Sequence, residues 1–111
     1  HYTRDRVKGK KIPLEFLVRK QTKETAETFG LMDRGQIKEG YMADINIIDH
    51  DNLCVYKPEM VHDLPTGSRR IIQKAGGYIA TIKSGVVTFK NDEATGELPG
   101  TLIRGEQTAA A

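Results

Sequence analysis

The chain has 111 residues, 29% of them charged and 38% hydrophobic, with 6% aromatic and no Trp. That length suits one domain or a piece of a larger protein. A net charge of +2, with Lys and Arg interspersed among Asp and Glu, argues against nucleic acid and membrane surfaces as partners, and no apolar stretch approaches the ~18 residues a membrane span needs.

Residues 1–11 are polar and basic. His1 to Arg6 reads as the frayed end of a helix beginning upstream, and Lys8 to Lys11 as a loop after the Gly9 breaker. The chain opens without an initiator Met, so a preceding segment is expected. Ile12-Pro13 opens the clearest helix, because a first-turn proline forgoes no intrahelical hydrogen bond. Leu14, Leu17 and Val18 follow at i, i+3, i+4 with Glu15, Arg19 and Lys20 opposite. Thr22 interrupts and is predicted to N-cap a second helix, with Glu24 in its first turn, Ala26 and Phe29 as its buried face, and Gly30 as its left-handed stop. The predicted helices are 13–21 and 23–29.

From Leu31 the pattern changes. Asp33-Arg34-Gly35 and Lys38-Glu39-Gly40 are turn signals, and Ile37 between them is predicted to make a short bridge. Ala43 to Asp49 reads as a strand with Ile45 and Ile47 on its apolar side. Leu53 to Tyr56 is a short apolar run. Residues 57–68 look irregular around a brief strand at Met60–Leu64, and Ile71-Ile72 suggests another strand before Gly76-Gly77.

Tyr78 to Lys83 and Val86 to Lys90 flank Ser84-Gly85 as a hairpin with a two-residue turn. The implied register pairs Lys83 with Val86, Ile82 with Val87, Thr81 with Thr88 and Ala80 with Phe89. Alternation then puts Ala80, Ile82, Val87 and Phe89 on one face. Residues 91–100 are predicted to be a loop and Thr101 to Arg104 an edge strand. The terminal Ala109-Ala110-Ala111 looks like a cloning scar.

Five features of the sequence bear on chemistry. His1, His50, His62 and Cys54 show no metal-ligand spacing. Cys54 sits in an apolar run, where a free cysteine is usually a small buried hydrophobe rather than half of a Cys–His dyad. Gly76-Gly77 precedes a strand rather than a helix, so a bend is expected rather than a phosphate cradle. Asp44 is expected to accept hydrogen bonds from the Glu39–Met42 turn. Arg69-Arg70 and the cluster of Arg4, Arg6, Lys8, Lys10 and Lys11 lack interleaved aromatics and read as solvated faces. The reading assigns no catalytic, cofactor-binding or metal residue.

The pattern Thr25-Ala26-x-x-Phe29-Gly30-Leu31-x-Asp33-Arg34-Gly35-x-Ile37-x-x-Gly40-x-x-Ala43-Asp44-Ile45 resembles the C-terminal junction of amidohydrolases, with Glu39 where proline is usual. His1-Tyr2-Thr3-Arg4-Asp5-Arg6, Pro13-Leu14-Glu15, Pro58-Glu59-Met60-Val61-His62-Asp63-Leu64-Pro65, Gly67-x-Arg69-Arg70, Gly77-Tyr78-x-Ala80-Thr81-x-x-Ser84-Gly85 and Thr95-Gly96-x-x-Pro99-Gly100 narrow the resemblance to N-acyl-D-amino-acid deacylases. The resemblance covers residues 1 to about 105.

It implies a mainly β fold with N-terminal helices. Residues 1–30 would be the last helix region of a TIM-like barrel and 31–105 a partial β-sandwich, with 106–111 a tail. It also implies that the chain is the C-terminal portion of a metal-dependent enzyme hydrolysing N-acyl-D-amino acids. Zinc is expected in the full-length parent, with its ligands upstream, and this chain alone is expected to be inactive and structural.

Its expected partner is the absent N-terminal barrel, and as a fragment it is expected to self-associate or exchange strands. The lone Cys54 suits a cytoplasmic location. An independent β-rich binding module is the alternative, and a small Cys54-dependent hydrolase a third, weaker reading.

Overall fold

The computed structural model describes residues 1–108, so the alanine tail read as a cloning scar lies outside the described residues. The fold is mainly β with short helices near the N-terminus. The chain divides into two compact units: His1–Asp44 with the segment from Thr101 onward, and Ile45–Gly100.

In the first unit, helix α1 spans Leu14–Gln21 and α2 spans Lys23–Thr28, close to the expected bounds. Pro13 precedes α1 in extended backbone (φ −55°, ψ 136°) and accepts from the Leu17 amide at 3.3 Å. Glu15 in the first turn and Arg19 and Lys20 in the last match the helix dipole. Thr22 breaks the run at φ −112°, ψ −85°, but it does not cap α2 as predicted. Its hydroxyl donates back to the Val18 carbonyl at 2.7 Å. A threonine hydroxyl reaches the carbonyl four residues earlier as readily as an amide ahead, and here it closes the end of α1.

Gly30 ends α2 at φ 70°. The Leu31 amide bonds to the Ala26 carbonyl at 2.9 Å and the Gly30 amide to Glu27 at 3.0 Å, the paired bonds of a Schellman stop. Ala26 is buried but Phe29, expected beside it, is 73% exposed. The ring lies at the C-cap, beyond the last helical turn, and stays largely uncovered. The N-terminal segment is one turn (Asp5 amide to His1 carbonyl, 3.1 Å) rather than the end of a helix.

The predicted bridge at Ile37 is absent among the described residues, and Ile37 is almost fully exposed. The bridge forms instead at Leu31, parallel to Gln107. The Met32 amide donates to Gln107 and the Gln107 amide to Gly30. Thr101–Arg104 is not a strand. The returning chain finds its backbone partner three residues later, where the α2 exit offers free amides and carbonyls.

The second unit holds a four-stranded antiparallel sheet ordered β1-β6-β7-β8: β1 Ile45–Ile48, β6 Tyr78–Lys83, β7 Val86–Lys90 and β8 Glu93–Ala94. Ser84 (φ 53°) and Gly85 (φ 81°) both take left-handed backbone, the turn whose twist matches its strands. Lys83↔Val86 and Ile82↔Val87 pair as expected. The register then slips to Thr81↔Phe89 and Ala80↔Lys90. Thr88 is the extra residue of this bulge. Its hydroxyl donates to the Thr81 carbonyl at 3.2 Å, and its own carbonyl accepts from the Thr95 amide at 2.9 Å. Phe89 therefore leaves the face of Ile82 for that of Thr81.

The predicted loop at 91–100 contains β8. Asn91 (φ 50°) and Asp92 (φ 66°) form a second left-handed turn, a conformation that Asn and Asp tolerate better than most residues, and Glu93 and Ala94 pair back onto Lys90 and Phe89.

The remaining strands make one long two-stranded ribbon. β2 (Cys54–Val55) pairs with β5 (Ala75–Gly76), and β3 (Glu59–Val61) with β4 (Arg70–Ile72). The Tyr56 amide bonds to the Lys74 carbonyl between them. The predicted Met60–Leu64 strand thus starts and ends earlier, and Ile71-Ile72 is its partner. Neither ribbon segment is hydrogen-bonded into the four-stranded sheet.

Candidate functional site

The best-enclosed polar cluster of the first unit lies in the junction after α2. Glycines allow the chain to double back there, with Gly35 at φ 87° and Gly40 at φ 80°, and the Met42 amide closes the loop on the Asp33 carbonyl at 2.7 Å. This folds Arg34 between two acids. Its Nε donates to Asp33 Oδ1 at 2.8 Å, its Nη2 to Asp33 Oδ2 at 3.0 Å and its Nη1 to Asp44 Oδ2 at 3.3 Å. The Arg34 side chain is only 12% exposed. The hydrogen bonds to Asp33, opposed by partial burial and aided by both carboxylate charges, hold the guanidinium even more firmly protonated than usual.

Asp44 Oδ2, ten residues on, accepts from this cation of the preceding turn. The arrangement fixes a loop; a guanidinium occupied by two carboxylates presents no acid or base for chemistry. Arg34→Ala should lower stability by about 2 kcal/mol, because its charge-assisted hydrogen bonds to two carboxylates are lost. Arg34→Lys should recover less than half, since an ammonium cannot reproduce the fork. Urea denaturation of the three proteins measures both effects.

In the second unit, Cys54 and Tyr56 point to the same side of β2. Cys54 is exposed, not the buried hydrophobe expected. Among the described residues its strand pairs with β5 alone. The Tyr56 hydroxyl lies beside the Cys54 sulfur, and that neighbour, with lesser help from partial burial and Asp92, raises the phenol above its ordinary range. Gly76 opposite makes room for both: a Cβ there would lie 2.6 Å from the Tyr56 oxygen and 3.2 Å from the Cys54 sulfur. The neighbour of the thiol is thus a phenol, not the imidazole with which a nucleophilic cysteine is usually paired.

The other candidates disperse. His1 packs edge-on against Tyr2, and His50 lies on the turn after β1 with its Nδ1 3.9 Å from Asp51. His62 follows β3 on the ribbon. Among the described residues, no group of three or more His, Cys, Asp or Glu side chains is gathered to hold a metal ion. The donors present do not fit a zinc site, which needs three or four of them converging.

Gly77 makes a bend rather than a phosphate cradle, at φ 96° with its carbonyl bonded to the Asp49 amide. The two arginines of the basic cluster make internal contacts: Arg4 pairs with Asp5, and Arg6 donates to the Lys8 and Lys10 carbonyls beside the Tyr2 ring. Arg70 forks onto Asp63 and holds that carboxyl below its usual range. A shallow depression of about 260 Å³ lies between Lys20, Glu24, Thr25, Thr28 and Phe29, but its carboxylate is already paired with Lys20 and Arg19. No helix of the described residues is long and apolar enough to cross a membrane.

The Asp33-Arg34 turn signal was visible in the sequence, but nothing in it joined Asp44 to Arg34. The Cys54–Tyr56 contact had no signal beyond i, i+2 spacing.

The family described as "Amidohydrolase family" matches residues 2–89. A D-aminoacylase from Alcaligenes xylosoxydans xylosoxydans is 33% identical over 103 residues, which make up 93% of this chain and 19% of that relative. The chain therefore spans about a fifth of the curated relative it matches. No solved structure matches.

Proposed function

The chain belongs to the amidohydrolase family, and from that premise we propose that it is the C-terminal portion of a longer metal-dependent hydrolase that cleaves N-acyl-D-amino acids to a carboxylate and a free D-amino acid. The observation that carries the reading is identity to a D-aminoacylase along almost the whole chain. The dispersal of donors described above supports placing zinc and the catalytic groups elsewhere in the longer polypeptide, in a TIM-like barrel. The residues here then close the barrel's last helix through α1 and α2 and contribute to a composite β-sandwich through the four-stranded sheet. The enzyme works in the cytoplasm, consistent with a single unpaired Cys54.

Alone, the chain is structural. Leu14, Val18 and Phe29 stay partly exposed, and among the described residues β1 and β8 are edge strands of the kind that drive self-association or strand exchange. We expect the 111-residue chain with added zinc to give no turnover of N-acetyl-D-amino acids above a protein-free blank, while the natural-length protein turns them over. Turnover by the short chain would refute the assignment of the catalytic groups. The intact mass of the natural product decides between this reading and an independent β-rich binding module: several times 12.4 kDa supports the hydrolase, and a mass near that value supports the module.

A further inference from the structure

Gly30 to Asp33, just beyond α2, fasten both chain crossings between the two units. The outgoing chain leaves the helical unit after Asp44 and the returning chain re-enters it at Thr101. On the outgoing side the Met42 amide donates to the Asp33 carbonyl at 2.7 Å, and the Arg34 guanidinium bridges Asp33 and Asp44. On the returning side the Met32 amide donates to the Gln107 carbonyl at 3.0 Å and the Gln107 amide to the Gly30 carbonyl at 2.8 Å. Gly30 also makes room for this return, because a Cβ on it would stand 3.0 Å from the Glu106 Cγ. We infer that residues 105–107 are a releasable clasp on this segment. The clasp opens while both units stay folded, and the sheet unit is then joined to the helical unit by the outgoing crossing alone.

The two fastenings differ in kind. The outgoing one is locked by a guanidinium 12% exposed between two carboxylates, and charge-assisted bonds of this type are the strong ones. The returning one is an isolated bridge between Leu31 and Gln107, made of two backbone bonds. The Gln107 side-chain amide donates only within the strap, to the Gly105 and Glu106 carbonyls. Residues 101–106 leading to it are exposed and outside any strand. Gly105, at φ 75° with nothing within 4 Å of its Cβ position, gives the strap a hinge in open space. Segments with few buried contacts and solvent-exposed backbone bonds open locally, well below the cost of global unfolding. Helix α2 does not depend on the clasp for its own end. Ala26 is buried, and its carbonyl accepts from the Leu31 amide at 2.9 Å. Opening the clasp therefore hands the Met32 amide and the Gly30 carbonyl to water without unwinding α2.

The experiment uses the natural-length protein, with hydrogen exchange read at single amides in rising, sub-denaturing urea. The Met32 and Gln107 amides are expected to exchange at least about tenfold faster than the Ala26 amide of α2. Their rates should not depend on urea, because a local opening exposes little new surface. The Ala26 amide should accelerate with urea, since its exchange needs wider unfolding. Gln107→Pro removes the donor to the Gly30 carbonyl. It should bring Met32 to within about twofold of its intrinsic rate and leave Ala26 and the β6 and β7 amides unchanged. Rates and urea slopes at Met32 and Gln107 equal to those of Ala26 would overturn the inference, because the strap would then open only with the helical unit. Acceleration of Ala26 by Gln107→Pro as large as that of Met32 would overturn it for the same reason. So would Met32 protection that Gln107→Pro leaves intact. A Met32 amide already at its intrinsic rate in the unaltered protein would mean that no clasp closes. None of these readouts depends on hydrolytic activity, so the clasp and the proposed function stand or fall separately.

Discussion

Gly35→Ala is expected to destabilise the helical unit by about 3 kcal/mol, the sum of left-handed strain and overpacking. Gly35 sits at φ 87°, where a side chain is strained whatever the space. There is also no space: a Cβ would lie 2.9 Å from the Ala26 Cβ, 3.0 Å from the Lys23 Cα and 3.0 Å from the Thr22 carbonyl oxygen. Two of those three atoms are backbone, so relief requires moving α2 away from the junction. Ala26 is the one buried hydrophobic side chain among the described residues, so the substitution strikes the centre of the unit's packing. Gly105→Ala separates strain from clash. It has φ 75° but meets nothing within 4 Å, and it should cost about 1 kcal/mol. Urea midpoints followed by the helical circular dichroism band give the comparison; equal effects at both positions would mean that the close approach to α2 is not populated in solution.

Gly77→Ala should cost a similar ~3 kcal/mol in the sheet unit, for the same two reasons. Gly77 lies at φ 96°, and a Cβ there would stand 2.8 Å from the Leu53 Cα, 3.0 Å from the Leu53 nitrogen and 3.2 Å from the Asn52 carbonyl carbon. All three are main-chain atoms. They belong to the turn carrying β1 into the ribbon, which the Asp49 amide ties to the Gly77 carbonyl at 2.8 Å. Gly76→Ala is a useful contrast, because its nearest obstacle is the hydroxyl end of Tyr56, which can swing aside. Gly85→Ala (φ 81°, open space) reports strain alone. The expected order of destabilisation is Gly77 well above Gly76 and Gly85. Amide exchange at β1 and β6 should accelerate only for Gly77→Ala. A Gly77→Ala protein as stable as Gly85→Ala would refute the role given to this crossing.

Much of the architecture was legible because the local signals were strong and mutually consistent. Pro13, the i, i+3, i+4 spacing of Leu14, Leu17 and Val18, and Gly30 place two helices almost to the residue. Ser84-Gly85 sets the turn and the first two hairpin pairs. The errors fall where a local signal has two outcomes. Thr22 can hydrogen-bond forward or back, and only the backbone bend at that residue selects Val18. Thr88 belongs to a regular hairpin by alternation, yet the return of β8 through Thr95 draws its carbonyl into a bulge and turns Phe89 over. Asn91-Asp92 carried a turn signal equal in kind to Ser84-Gly85, hidden because Glu93-Ala94 offers two residues of strand and no hydrophobic alternation.

By itself the sequence determined the element types, the glycine turns, the family to which the chain belongs and the scarcity of metal-ligand spacing, since each is written in short-range patterns of residue type. Tertiary structure alone decided the grip of Asp33 and Asp44 on Arg34, the pairing of Leu31 with Gln107, the meeting of Cys54 and Tyr56 opposite Gly76, and the joining of two short strand pairs into one bare ribbon. Some of those contacts join residues distant in the chain, and the others depend on how a turn or strand bends or on what fails to cover a face. Such facts are set by how the backbone closes its hydrogen bonds in space, and no local pattern encodes them.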